Sequence, residues 1–318
     1  MSVITQTAGV TDGAAVNATD LTDANPTRRA TGWSVMVSKP TTVLCMGIVA
    51  IYILAALSTF LPAMTHAIDQ TVGESYQAPR FGSPSVWFGT DILGRSVFWR
   101  TVYGTRVALL ITAGAGTLSV IIGTLLGIVS GYFGGWVDAV VTWLFTTISS
   151  IPWILLVIAI MVAVQSHEEF REKYGDLPAI IIALAATDWV GLCRLLRGEV
   201  FKYRQADFVA ASRAAGAGTP RILWKHILPN VFHIVIITFS LSTVGYVQAE
   251  VALTFIGIGI SDKPSWGRMI TDAKQEVLRG VWWQLAAATV AIFVICLTLN
   301  IVGDALRDAL DPKLRGRD

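Results

Sequence analysis

The sequence predicts an all-α integral membrane protein with six transmembrane helices, on two observations. The 318-residue chain is 53% hydrophobic and only 14% charged, with mean hydropathy +0.60. Soluble domains carry about 25% charged residues, so the excess apolar surface must face lipid. Six apolar runs, at 41–63, 105–131, 137–164, 178–197, 231–258 and 283–305, are each long enough to cross roughly 30 Å of hydrocarbon. Backbone N–H and C=O groups find no water there, so each run is expected to be helical.

Residues 1–38 are rich in Thr, Ala, Asp and Asn and lack an apolar run. They are expected to form a disordered cytoplasmic arm, and they lack the basic start and short apolar stretch of a secretory signal. Arg28, Arg29 and Lys39, the last at the start of the first transmembrane segment (39–63) and before its apolar run, favour a cytoplasmic N-terminus. Six spans then return the tail, 306–318, to the same side and leave 64–104 and 261–282 outside. On this topology 14 of the 24 Lys and Arg lie inside, a bias of the correct sign but modest size.

The net charge of +2, with no Lys/Arg tract, excludes a nucleic-acid partner. Cys45, Cys193 and Cys296 sit apart in apolar stretches without CxxC spacing, and His66, His167, His226 and His233 make no metal-ligand pattern. Catalytic, redox and zinc chemistry are therefore not expected of this chain.

Within the spans three features stand out. Ser119, Gly123, Gly127 and Gly131 recur at i+4, a stripe that lets another helix approach closely, in the same chain or in another subunit. Asp188 and Glu250 lie in apolar surroundings where a charge costs at least about 2.5–3.5 kcal/mol. Each must face protein or water, either in structural pairing or along a hydrophilic path. Two isolated acids fall short of the clustered acids and histidines a membrane enzyme needs, and no internal repeat points to an ion-driven secondary transporter.

The loop between spans four and five has a sharper pattern. Asp207 can cap a helix over 208–215, and Gly216 supplies the left-handed residue that ends it. Thr219 and Pro220 suit the N-cap and first position of a second helix that carries Arg221, Lys225 and His226 and stops before Pro229. Ala210, Ala211, Ser212, Ala214 and Ala215, around Arg213, give the first helix a smooth surface that fits a groove.

The stretch DFVAASRAAGAGTPRILWKHILPN, Asp207 to Asn230, resembles the coupling (EAA) loop of bacterial ABC importer permeases. Ala211, Ser212, Gly216, Leu228 and Pro229 match the motif, while Ala210 replaces its leading Glu and so removes a capping-box partner of Asp207. FGTDILGRSVFWRTVYGTRVAL, from Phe88, is similar to the GTDxxGRD signature of the C-type subunit of dipeptide, oligopeptide and nickel importers. It supplies Gly89, Thr90, Asp91, Gly94 and Arg95, with Ser96 in place of the final acid. GYFGGWVD (131–138) and the run from AEVALTFIGIG through KPSWGRMI and WW to GDALRDALDPKLRGR extend the likeness over nearly all of 85–317. The chain departs from the family at Trp143 and Thr146, where Arg and Asp are common, and at Ala288 and Thr289, where Pro-Gly is common. Losing Pro-Gly predicts a straighter sixth helix.

The resemblance implies a type I ABC importer permease in a bacterial inner membrane, with five helices and the coupling loop forming a core over 105–305. It implies a homologous B-type permease as heterodimer partner, two cytoplasmic ATPase subunits and an external binding protein. Di- or oligopeptides are the implied cargo, with nickel chelates, modified peptides or peptide antibiotics as the alternative. No GxxxxGK[ST] loop and no Gly-Lys pair occur, so the chain itself is expected to hold no cofactor, and ATP and Mg are expected in the ATPase subunits. Segment 64–104 would shape the outer mouth or meet the binding protein, or form a salt-bridged packing motif through Asp91 and Arg95. Segment 261–282, with Trp266, Trp282 and Trp283, is expected to form an outer gate or an interfacial segment whose tryptophans are membrane-interface anchors.

Overall fold

The computed structural model describes Met36 and residues 39–310. The expected arm and the end of the tail, 311–318, lie outside the described residues. The described chain is built from helices, and its pairing between extended residues is limited to two isolated bridges, Thr71 with Arg95 and Thr90 with Ser96.

Five helices are long and apolar enough to cross a membrane: Pro40–Ser58 (α1), Val97–Phe133 (α3), Leu177–Tyr203 (α7), Thr219–Ile256 (α9) and Trp283–Leu310 (α11). The expected span over 137–164 is instead a bent pair, Gly135–Ser149 (α4) and Trp153–Gln165 (α5), meeting at 95°. The cause is Pro152, which lacks an N–H for the carbonyl of Ile148 and disfavours a helical Ile151. Counting the pair as one gives six spans. Short helices Pro62–Asp69 (α2), Glu168–Tyr174 (α6), Asp207–Ala214 (α8) and Trp266–Val277 (α10) occupy the connections.

Several boundaries differ from the sequence expectation. The first span ends at Ser58 rather than 63, because Pro62 opens α2. The segment expected to run to 104 ends at Ser96, whose hydroxyl accepts a hydrogen bond from Trp99 N–H and starts α3. α3 then runs 37 residues, roughly 55 Å, well beyond the hydrocarbon thickness, until Gly134 at φ +67° stops it. α11 is unbroken across Ala288 and Thr289.

α3 and α7 form the centre of the fold. The small-residue stripe faces α7 of the same chain: a Cβ on Gly127 would lie 2.9 Å from the Cys193 carbonyl oxygen, and one on Gly131 would lie 2.7 Å from that of Arg197. Buried Val107, Ile111, Val157, Met161, Ile180, Leu184 and Leu253 fill one apolar core, which joins α3, α5, α7 and α9. A second core packs α1 and α10 with α3 and α11 around Trp266 and Met269. Large apolar side chains such as Leu44, Leu54, Leu125, Leu155 and Phe293 remain exposed, as lipid-facing positions require.

Candidate functional site

Three regions hold the residues that the sequence singled out. The first is the loop after α7. Asp207 is the first residue of α8 rather than its cap; Ala206 occupies the cap position without a side-chain hydrogen bond, and Asp207 places its charge in the first turn. Gly216 has φ +79° and closes the helix, with Ala217 N–H bonded to Ser212 O at 3.0 Å. Gly218, not Thr219, caps the second helix. That helix does not stop before Pro229. Residues Leu223–Ile227 widen into a π-turn, with Leu228 N–H reaching Leu223 O, and the rod continues to Ile256. Pro229 has no N–H to give to Lys225 O, and the wider turn accommodates its ring.

Val209, Ile222 and Ile227 are fully buried in a third core with Tyr132, Leu196, Val200 and Val231. The loop is thereby fixed to the ends of α3, α7 and α9. Arg213 donates to the Tyr132 hydroxyl at 3.2 Å, and Ser212 Oγ lies 3.4 Å from His226 Nε2. Phe208, Ala210, Ala211, Ala214 and Trp224 face outward, while Leu228 is half-buried and Pro229 exposed. The result is an apolar, small-residue ridge on a rigid mount.

The second region lies along α7 and α9, where the two intramembrane acids take different roles. Glu250 is 1% exposed, accepts from Thr254 Oγ1 at 3.1 Å, and lies against the Ser265 side chain and the Gly267 backbone. It therefore ties α9 to the N-terminus of α10, where a helix end favours an acid. Asp188 is half-buried and accepts from Tyr246 Oη at 2.6 Å and Ser119 Oγ at 3.4 Å. It lines a cavity of about 360 Å³ with Trp153, Ser242, Gly245, Tyr246 and Gln248. Two more depressions follow it along the α4–α5 bend: one of about 490 Å³ shares Trp153 with this cavity and includes Ser149, Ser150 and Thr187, and one of about 670 Å³ shares Ser150 with that second depression and includes Asp138, Thr142 and Thr146. Together they form a trough with polar residues along its length. Sequence reasoning missed it because the bend at Pro152, visible as a proline in an apolar run, was read as continuous helix.

The third region is the segment before α3. Asp91 Oδ1 accepts the N–H groups of Leu93 and Arg95 at 2.9 Å each, and Oδ2 accepts Arg95 Nε at 2.8 Å and Arg100 Nη1 at 2.9 Å. Gly94, at φ +70°, makes the turn, and a Cβ there would collide with the Gly73 carbonyl. Gly89 also has positive φ, and Thr90 Oγ1 donates to Glu74 O. Two of the expected interfacial tryptophans belong to this packing. Trp266 is 1% exposed and donates to Thr101 O, and Trp283 donates to Thr90 O; Trp282 is exposed. The reason is geometric: their indole N–H groups reach backbone carbonyls, Thr90 in this turn-rich segment for Trp283 and Thr101 in the first turns of α3 for Trp266.

Buried Glu276 borders the same network, with one carboxylate oxygen lacking a partner among the described residues. Burial, then the charges of Asp91 and Asp272, push its pKa up to about 7. Nearby in sequence to the trough's outer helices, Asp176 behaves oppositely. Burial raises its pKa, but hydrogen bonds from Ser261 and the charge of Arg171 outweigh it and hold the carboxyl below its usual range.

Residues 123–316 match the family model described as "Binding-protein-dependent transport system inner membrane component". The chain is 36% identical to the dipeptide transport system permease protein DppC of Bacillus subtilis (strain 168), over 83% of this chain and 79% of that protein. It is 34% identical to the oligopeptide transport system permease protein OppC of the same organism, over 85% of each. It is 31% identical to the glutathione transport system permease protein GsiD of Pectobacterium atrosepticum, over 73% and 74%. Six candidate spans, a rigid loop fixed to their ends and this likeness lead to one conclusion: the chain is a multi-pass membrane protein that belongs to the binding-protein-dependent transport system inner membrane components.

Proposed function

We propose that this chain is one of two permease subunits of an ATP-driven importer of di- or oligopeptides, and that the 207–230 loop receives force from a cytoplasmic ATPase. The observation that supports this most is the mount of α8. Its buried Val209 packs in one core with Tyr132 of α3, Leu196 and Val200 of α7, and Ile222 and Ile227 of α9, while its outer face offers Phe208, Ala210 and Ala211 to a groove. A displacement of α8 would therefore move the ends of α3, α7 and α9 together rather than deform a loop.

α9 extends the argument into the membrane. It is a single 38-residue rod, roughly 57 Å long, with the docking helix at one end and Tyr246 on the trough towards the other. Closure of paired ATPases would rock this rod and alternately open the trough, completed by a homologous second permease, to the two sides. Both termini are cytoplasmic on this reading, and the Asp91–Arg100 network faces outward, where a binding protein delivers cargo. ATP and Mg are handled by the ATPase subunits, since the chain has no phosphate-binding loop. The peptide cargo rests on the names of the dipeptide, oligopeptide and glutathione transport relatives.

Affinity purification of the tagged chain from native membranes tests the assembly. An ATPase and a second permease should co-purify, and Phe208→Asp should release the ATPase while retaining the permease. Purification of the chain without an ATPase under mild detergent would count against the reading.

A further inference from the structure

We propose that Asp188 forms a cation subsite within the trough, one that takes the protonated α-amino group of a peptide in transit; the choice of a peptide rests on the importer reading above, the cation site does not. Three observations converge. Asp188 stands 12 residues into the 27-residue α7, deep within a span, yet no Lys, Arg or His pairs with it among the described residues. Both of its hydrogen bonds are from neutral hydroxyls and both reach Oδ2, so Oδ1 has no partner among the described residues. The carboxylate also lines a cavity of about 360 Å³, within the size range of small-ligand sites.

Glu250 provides the contrast. Where this fold needs an intramembrane acid only for structure, it encloses the group completely, with Thr254 donating to it and the start of α10 packed against it. Asp188 is left half-buried and open to a depression. Tyr246 and Ser119, themselves 3% and 2% exposed, hold Oδ2 from behind, an arrangement that fixes the carboxylate without neutralising it.

The rest of the lining suits a primary ammonium attached to a peptide unit. Trp153 presents an aromatic ring at the α4–α5 bend, suited to a cation or an apolar side chain. Ser242 and exposed Gln248 offer hydrogen bonds to an amide, and Gly245 leaves open space beside them. An α-amino group has a pKa of about 7.7–8.0 and is mostly protonated at neutral pH. It is the cation every unmodified peptide has whatever its side chains, so such a site would accept peptides of varied sequence.

The test is direct binding to the purified complex in lipid nanodiscs, without the binding protein, read by saturation-transfer NMR. The ligands are Ala-Phe, N-acetyl-Ala-Phe, N-acetyl-Lys-Phe, phenethylammonium and N-acetylphenethylamine. Ala-Phe and phenethylammonium should bind the wild type, weaken about tenfold or more in Asp188→Asn, and persist in Asp188→Glu. N-acetyl-Ala-Phe and N-acetylphenethylamine, which lack an ammonium, should not weaken in Asp188→Asn. Binding of N-acetyl-Lys-Phe would show that a side-chain ammonium is accepted as well; its absence, with Ala-Phe bound, would assign the site to the N-terminus. Phenethylammonium binding without Ala-Phe binding would keep the cation site and overturn its assignment to peptides. Equal affinity for charged and acetylated ligands, or equal binding by wild type and a folded Asp188→Asn, would overturn the cation site itself.

Discussion

The hydroxyl of Tyr246 lies 2.6 Å from Oδ2 of Asp188, joining α9 to α7 at the wall of the trough. The bond links the rod that rises from the 207–230 loop to the helix packed most tightly on α3. Tyr246→Phe keeps the ring, which sits in the main apolar core, and removes only the hydroxyl. We expect a loss of about 1.5–3 kcal/mol, the usual range for a hydrogen bond to a charged group. Thermal unfolding in detergent measures it, and Ser119→Ala, whose longer bond is 3.4 Å, should cost less.

The α3–α7 contact predicts a sharp contrast between glycines. Gly127→Leu must displace the Cys193 backbone and the Leu196 side chain, at a cost on the order of 3 kcal/mol. Gly191→Ala, on the open side of α7, meets nothing within 4 Å and should leave stability unchanged or slightly improved. Size-exclusion chromatography of the two variants should show aggregated and monodisperse material respectively.

Substitution of Gly216 separates fold from coupling. Any Cβ at φ +79° is strained by about 1–2 kcal/mol, although the space around this glycine is open. Gly216→Ala should therefore insert in the membrane at normal abundance and shift the angle between α8 and the following helix. The expected result is retained ATPase association with peptide-stimulated hydrolysis reduced several-fold. Abundance by immunoblot and hydrolysis rate, measured on the same preparation, check it.

Glu276 sets a pH dependence. Its pKa of about 7 exceeds the ordinary glutamate value of 4.5, so the folded protein holds a proton that the unfolded chain releases as pH rises between those values. Stability contributed by this group is full below pH 4.5 and declines until about pH 7, by an amount on the order of 2 kcal/mol. Glu276→Gln should raise the unfolding temperature at pH 8 and change it little at pH 5. Asp176 works in the opposite sense, adding stability at neutral pH that disappears as pH falls through its lowered pKa.

Much of this architecture was legible in the sequence because lipid leaves few choices. Long apolar runs had to become helices, and Gly216 marked a helix end by its conformational freedom. The stripe at Ser119, Gly123, Gly127 and Gly131 announced a close contact, though not which helix would fill it. Other features required coordinates. Hydropathy treats Pro152 as one residue among many, but its missing N–H breaks the third span. Pro229 carried the same signal and had the opposite outcome, because a π-turn absorbed it. Asp188 and Glu250 were indistinguishable by hydropathy; their neighbours on other helices, Tyr246 for one and the Ser265–Gly267 start of α10 for the other, set them apart. Trp266 is buried for a similar reason, since its partner, the Thr101 carbonyl, lies 165 residues away.

The central claim is that this chain forms half of a peptide pathway driven through the 207–230 loop. It is tested most directly by uptake of a labelled panel of dipeptide, longer peptide and nickel chelate in cells with the chain, without it, and with Gly216→Pro at matched abundance. The account predicts that peptide uptake is present only with the unmodified chain and is lost equally in the deletion and the loop variant. Peptide uptake that is unchanged by the deletion, or that persists with the proline in the loop, would contradict it.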